Sequence, residues 1–211
     1  APGAPAVWPS CPDNICFEFE LGDRAAVDRA FETASHVTSL DFTVNRVAPA
    51  PMEPRAALGV YDPGDERYTL YCGVQNPHGM RRMMAALILG IPETQLRVVS
   101  PDMGGSFGMR SNPYAEIALV LWAARRIGRP VKWTGERAEA FVADDQGRDN
   151  RTRVELALDP EGTFLALRVR TLAALGAYLS MGGPTPAVIN LGGLAGVYTT
   201  PAIHASVRGV F

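Results

Sequence analysis

Apolar positions along the chain follow two rhythms, one of period two and one of period 3.6, and the switches between them mark its elements. Residues 1–15 hold Pro2, Pro5, Pro9 and Pro12 with little periodicity and read as a linker or arm. A short strand is expected over 15–19. Asp23 then fits a helix N-cap, and Val27, Ala30, Phe31 and Ala34 line one helical face. Residues 36–47 are rich in Val, Thr and Phe and read as a strand. Prolines around Met52-Glu53 make 48–55 a turn or an extended run. Strands over 56–61 and 68–74 flank Asp62-Pro63-Gly64-Asp65, a turn sequence, and are expected to pair as a hairpin.

Asn76 fits an N-cap and Pro77 the first helical position, where proline's missing N–H is not needed. Met80, Met83, Met84, Leu87 and Ile88 then form a stripe expected in the core, stopped by Gly90. An apolar strand begins at Leu96 and runs into a loop with three glycines, Gly104-Gly105-Ser106-Phe107-Gly108. Asn112-Pro113 repeats the Asn-Pro helix start. The helix that follows runs to about residue 127, is apolar almost all round, and is expected to be buried. Residues 131–134 read as a strand and 136–142 as a short helix or turn. Residues 151–159 and 164–171 alternate cleanly about Pro160-Glu161-Gly162 and predict a two-stranded antiparallel ribbon with one wet face. The stretch 176–196 is Gly- and Pro-rich, with a short helix expected over 185–191, and 203–211 reads as a last strand. The fold class is α/β of mixed α+β character: a mixed sheet with packed helices, plus the ribbon.

Composition narrows the class. The chain has 211 residues, 47% hydrophobic and 20% charged, so it can bury a core without staples. A formal net charge of −2 gives no pull toward nucleic acid or an anionic membrane. No apolar run reaches the roughly 18 residues of a membrane span. Cys11, Cys16 and Cys72 lack metal-site spacing and read as free thiols in a reducing compartment, the cytoplasm. The first residue is Ala1, and the expectation is a piece of a longer chain.

The glycine loop is the main candidate for chemistry. A dinucleotide fingerprint needs Gly-x-Gly-x-x-Gly leading straight into a helix. Here the glycine order differs, the next helix starts several residues later, and Phe107 sits where a pyrophosphate would approach. Two readings of the loop remain. Its N–H groups converge on an oxygen-rich ligand with Phe107 walling the site, or it is a tight turn with Phe107 plugged into the core. Gln75 ends one strand just before a capped helix, as the loop ends another. If those strands are neighbours, Gln75 and Phe107 share a crevice, where the glutamine amide can donate or accept. His36, His78 and His204 lie far apart, without ligand-spaced partners. Cys72 is expected buried and inert. Glu116 is expected to offset the helix dipole or to fix Arg110, with a catalytic role as the alternative.

Several motifs in order carry a resemblance. Pro51-Met52-Glu53-Pro54, Gln75-Asn76-Pro77-His78, Asp102-Met103-Gly104-Gly105-Ser106-Phe107-Gly108, Gly128-Arg129-Pro130-Val131-Lys132-Trp133, Glu136-Arg137 and Gly176-Ala177-Tyr178 together resemble the molybdenum hydroxylases. These are the large subunits of the xanthine dehydrogenase, aldehyde oxidase and carbon monoxide dehydrogenase family, and the likeness runs from about residue 12 onward. It implies that 16–211 are the first part of a molybdopterin-binding domain. It implies cofactor contacts from Gln75, Gly104, Gly105, Ser106, Phe107 and Gly108. Gln75 and the Phe107 N–H would stand beside the metal, Gln75 at an oxo ligand. It further implies iron–sulfur clusters and FAD on other domains or subunits, which accept the electrons, and a small-molecule substrate.

Ser106 stands where the family usually has glycine. No glutamate occurs from Met109 to Tyr114, where xanthine-type enzymes carry a substrate-binding glutamate, so the carbon monoxide and aldehyde-like branches fit better than purine. The family's Arg-Gly loop and its catalytic glutamate are expected beyond residue 211. This chain therefore carries no catalytic residue of its own by that likeness, and alone it is expected to be inactive and without cofactor. The competing expectation is a non-catalytic binding or structural protein that kept the fold.

Overall fold

A computed structural model describes residues 3–211. In chain order the elements are β1 (Ile15–Gly22), α1 (Arg24–Thr33), β2 (His36–Val44), β3 (Ala56–Asp62), β4 (Arg67–Cys72), α2 (Pro77–Arg82), β5 (Leu96–Val99), α3 (Ala115–Ile127), β6 (Val131–Thr134), α4 (Arg137–Ala143), β7 (Asn150–Leu158), β8 (Phe164–Ala174), α5 (Thr185–Val188) and β9 (Ala202–Val210). They fall into two compact units, Ala1–Val47 with Gly147–Phe211, and Ala48–Gln146. The α/β class holds, but each unit carries its own mixed sheet where one sheet and a ribbon were expected.

The first unit is a five-stranded sheet in the order β1-β9-β8-β7-β2. The expected ribbon of β7 and β8 is present, with Val154 opposite Val169 and Leu156 opposite Leu167. It is not a free ribbon, however: β2 pairs with β7 on one side and β9 lies parallel to β8 on the other. Isolated hairpins leave a row of backbone groups unpaired on each edge, and these neighbours satisfy them. Asp23 caps α1, accepting from the Ala26 N–H at 2.9 Å. Fully buried Val27 seats the helix on Ala157, Ala166 and Ala202, whose small side chains permit close approach. Beside it Arg168 lies 4.0 Å from the Phe31 ring centre and donates to Asp28 at 2.7 Å. Strand β2 stops at Val44, short of the expected Val47, and is exposed along its length as an edge strand. Strand β1 runs three residues past expectation, to Gly22. Ahead of it, the Trp8 indole donates to the Ala177 carbonyl at 2.6 Å and meets Tyr178 edge-on.

The second unit is a four-stranded sheet, β5-β4-β3-β6, covered by α3. The β3–β4 hairpin forms as expected, and β4 and β5 run parallel, Leu70 opposite Val98. The core is built on fully buried Leu70, Met80, Met84 and Leu121.

Three helical expectations need correction. Met80 and Met84 are core, but Leu87 is 70% exposed and Ile88 is exposed as well. From Met83 to Leu89 the helix widens into π-helical turns, which shifts the register and swings those two side chains outward. Nor does Asn112-Pro113 start α3. Tyr114 is its N-cap, without a side-chain bond, and the Asn112 amide donates to Asp145 at 2.8 Å instead. Helix α3 buries only Ile117, Val120, Leu121 and Ala124, while Leu119, Trp122 and Ile127 face outward. Its expected full burial is therefore overturned: it covers the sheet on one face only.

Candidate functional site

Because β4 and β5 are parallel neighbours, their carboxyl ends lie side by side. Ser100, just past β5, fastens the two ends: its hydroxyl accepts from the Val74 N–H and donates to the Val74 carbonyl, both at 3.1 Å. Gln75 follows Val74 directly, and the glycine loop follows Ser100 after three residues. Sheets of this kind place ligands at such strand ends.

Gln75 reaches the loop. Its carboxamide oxygen accepts the Gly108 N–H at 2.8 Å and the Ser106 hydroxyl. Its own backbone N–H donates to the Arg110 carbonyl at 3.3 Å. The expected crevice therefore brings Gln75, Ser106, Phe107 and Gly108 together. Phe107 is 79% exposed, so the core-plug reading of the loop fails. Its ring lies over Gly105, and its backbone is left-handed, φ 54°, a strained state for a bulky residue. Gly108 carries φ 97°, which only glycine adopts without cost. Gly104 donates to the Glu53 carboxylate at 2.7 Å, and a side chain at 104 would collide with the Glu53 stem.

The N–H groups of Gly105, Ser106 and Phe107 have no acceptor among the described residues. Three consecutive donors on a loop, beside a glutamine amide, are thus available to an oxygen-rich or anionic group.

Buried Arg110 ties the loop to residues 53–54, and buried Arg55 ties Glu116 of α3 to Asp144. Arg110 is 2% exposed and meets the Glu53 carboxylate at 3.1 Å, the Glu53 carbonyl, and the Pro54 carbonyl at 3.3 Å. Its Nε has no partner among the described residues. Gly73 leaves room for this guanidinium. Arg137 of α4 fixes the same segment through the Pro51 and Met52 carbonyls, at 2.6 and 2.8 Å. Arg55 lies 3.7 Å from the Tyr114 ring centre and pairs with Asp144 at 2.6 Å and Glu116 at 2.9 Å. Burial works against the Arg55 charge, yet its bonds to Glu116 and Asp144 outweigh burial and raise its pKa. Burial likewise opposes ionised Glu116, and the Arg55 bond prevails and lowers its pKa. Glu116 thus fixes Arg55 and not Arg110, whose carboxylate partner is Glu53. The Tyr114 hydroxyl, pushed by burial to about 12, donates to the Met109 carbonyl at 2.8 Å and accepts from the Asp145 N–H.

Sequence reasoning missed Glu53 and Arg110 as loop supports. The available signal was one carboxylate in a proline-bounded segment and one arginine closing the loop, but nothing local paired them. Burial drives Cys72 to about 12, an inert thiol. The histidines stay apart: His78 is exposed, and buried His204 lies 3.3 Å from Glu20. Among the described residues no cluster of three or more His, Cys, Asp or Glu side chains is arranged to hold a metal directly.

Comparison with known proteins shows the family. The model of the molybdopterin cofactor-binding domain matches residues 7–211. The chain belongs to that family, within the molybdenum hydroxylases. The carbon monoxide dehydrogenase large chain of Hydrogenophaga pseudoflava is 36% identical over 94% of this chain and 25% of its own length. The 6-hydroxypseudooxynicotine dehydrogenase complex subunit gamma of Paenarthrobacter nicotinovorans is 37% identical over 88% of this chain and 23% of its own. Among solved structures, a Cu,Mo-CO dehydrogenase superposes with a TM-score of 0.84 at 33% identity, covering 93% of this chain and 25% of that one. The aldehyde oxidoreductase of Desulfovibrio gigas gives a TM-score of 0.84 at 26% identity, over all of this chain and 23% of that one. The chain thus spans about a quarter of the length of the relatives it matches.

Proposed function

We propose that this chain forms one wall of the molybdopterin site in the large subunit of a molybdenum hydroxylase, an oxidoreductase. The observation that carries the proposal is the donor set at the paired ends of β4 and β5. Gln75 is exposed and has its amide oxygen occupied by the loop, which leaves its NH2 group to donate to another partner. Beside it stand the uncommitted N–H groups of Gly105, Ser106 and Phe107. A pterin cofactor with oxygen-bearing groups meets donors of the right sign there, so the residues present fit it. Gln75, Gly104, Gly105, Ser106, Phe107 and Gly108 would hold the cofactor, with Gln75 and the Phe107 N–H at the metal side.

When bound, the cofactor supplies the redox-active metal. The chain's own residues bind and orient it. Arg110 and Glu53 keep the loop in place, and the exposed Phe107 ring shields the Gly105 side from water. None of the side chains at the cradle is a free general base, so proton abstraction from the reacting group falls to residues elsewhere in the subunit. Alone, the chain is predicted to be inactive.

The substrate class is carbon monoxide, an aldehyde or a heterocycle, small in each case. The electrons pass to iron–sulfur clusters and FAD on partner subunits or domains, and the protein works in the cytoplasm. The two kinds of relative above, a subunit of a dehydrogenase complex and a carbon monoxide dehydrogenase chain, support a multi-subunit setting. No helix among the described residues is long and apolar enough to cross a membrane. Metal and pterin analysis of the complete protein tests the proposal. The expected result is one molybdenum and one pterin per chain. A stable, metal-free complete protein would favour instead a binding or structural protein that kept the fold.

A further inference from the structure

We infer that Ser106 is a positioning residue that fixes Gln75 as a hydrogen-bond donor toward the cofactor, an inference resting on the molybdopterin reading above. A glutamine amide presents either polarity, depending on how its terminal group is turned. Here the direction is set by groups that have no choice. The Gly108 backbone N–H can only donate, so the Gln75 atom 2.8 Å from it is the acceptor oxygen. The Ser106 hydroxyl has one proton, and its oxygen already accepts the Arg110 N–H at 3.3 Å. That bond turns the hydroxyl proton toward Gln75, whose oxygen receives it. The order of donors therefore runs from the Arg110 N–H through the Ser106 hydroxyl to the Gln75 oxygen, and the Gln75 NH2 group is what remains for a ligand.

Ser106 is buried, 8% exposed, while Gln75 is exposed. A buried hydroxyl bonded on both sides holds a side chain that solvent would otherwise let rotate. Glycine at 106 supplies no such link. With glycine, the Gln75 oxygen keeps the Gly108 N–H alone, and the Arg110 N–H loses its acceptor. The serine in this chain replaces that loss of control with a two-point grip.

The test uses the complete protein loaded with its cofactor, in wild-type form and as Ser106→Ala, Ser106→Thr, Gln75→Ala and the Ser106→Ala/Gln75→Ala double variant. Two readouts are taken: the electron paramagnetic resonance spectrum of molybdenum partly reduced with dithionite, and the rate of molybdenum loss on dialysis. Ser106→Ala is expected to shift the spectrum and to speed molybdenum loss about fivefold, the scale of one hydrogen bond. Ser106→Thr keeps the hydroxyl and is expected to match wild type. In the Gln75→Ala background, Ser106→Ala is expected to add nothing. Should the alanine variant fail to accumulate, Ser106→Gly deletes the same hydroxyl and takes its place. A wild-type spectrum and loss rate in Ser106→Ala would overturn the inference while leaving the cofactor reading intact. So would an undiminished effect of Ser106→Ala in the Gln75→Ala background. Wild-type protein without molybdenum would overturn the cofactor reading, and this inference with it.

Discussion

Gln75 carries both hydrogen-bond polarities in one side chain, and the fold consumes only the accepting one. The buried charges around it are each paired with an opposite charge. Arg110 answers to Glu53, and Arg55 to Asp144 and Glu116. Removing one member of such a set strands the other in a poor solvent, which costs more than the pair contributes. Glu116 gives a measurable case. Its folded pKa is depressed by Arg55, so its contribution is complete above the unfolded pKa, about 4.3, and is lost as pH falls through the lower folded value. The melting temperature of Glu116→Gln is therefore expected to lie below wild type at neutral pH, with the gap closing below about pH 4. A gap that stays constant down to pH 3 would contradict the ion pair.

At the scale of elements, close approach between α3 and β3 organises the second unit. A side chain at Gly59 would place its first carbon 2.6 Å from the Val120 carbonyl oxygen, a backbone atom that cannot move aside alone. Gly59→Ala is expected to destabilise the protein by about 1–3 kcal/mol, read as a lower urea midpoint. An unchanged midpoint would show that helix and strand are not locked as described. Local chemistry made several elements legible in the sequence. Asp23 and Asn76 could be recognised as caps, because a short polar side chain before an apolar run has one efficient use there. The β3–β4 and β7–β8 hairpins announced themselves through alternation about a turn. The failures have equally physical causes. The π-helical turns from Met83 to Leu89 depart from the 3.6-residue period, so a stripe read at that period misplaces Leu87 and Ile88. Asn112-Pro113 carries the same letters as Asn76-Pro77, yet Asp145 claims the Asn112 amide. The parallel β8–β9 pair joins segments separated by an irregular stretch, so no local pattern announces it.

Across the whole molecule, the candidate site falls within a single unit, Ala48–Gln146, since Gln75, the glycine loop, Glu53 and Arg110 all belong to it. Gln75 and the loop could be read from the sequence because each ends a strand, and two strand ends meet when the strands are parallel neighbours. Their supports could not. Glu53 and Arg110 are 57 residues apart, and an ion pair over that span leaves no periodic trace. The chain also spans only about a quarter of the length of the relatives compared above. The most direct test of the cradle is amide hydrogen exchange at Gly105, Ser106 and Phe107 in the complete protein. It would be measured on material from a host that makes molybdopterin and from one that does not. Loaded protein is expected to exchange these three amides at least about tenfold more slowly, because free loop donors become hydrogen-bonded. Equal exchange in a preparation with stoichiometric molybdenum would contradict a backbone cradle at this loop.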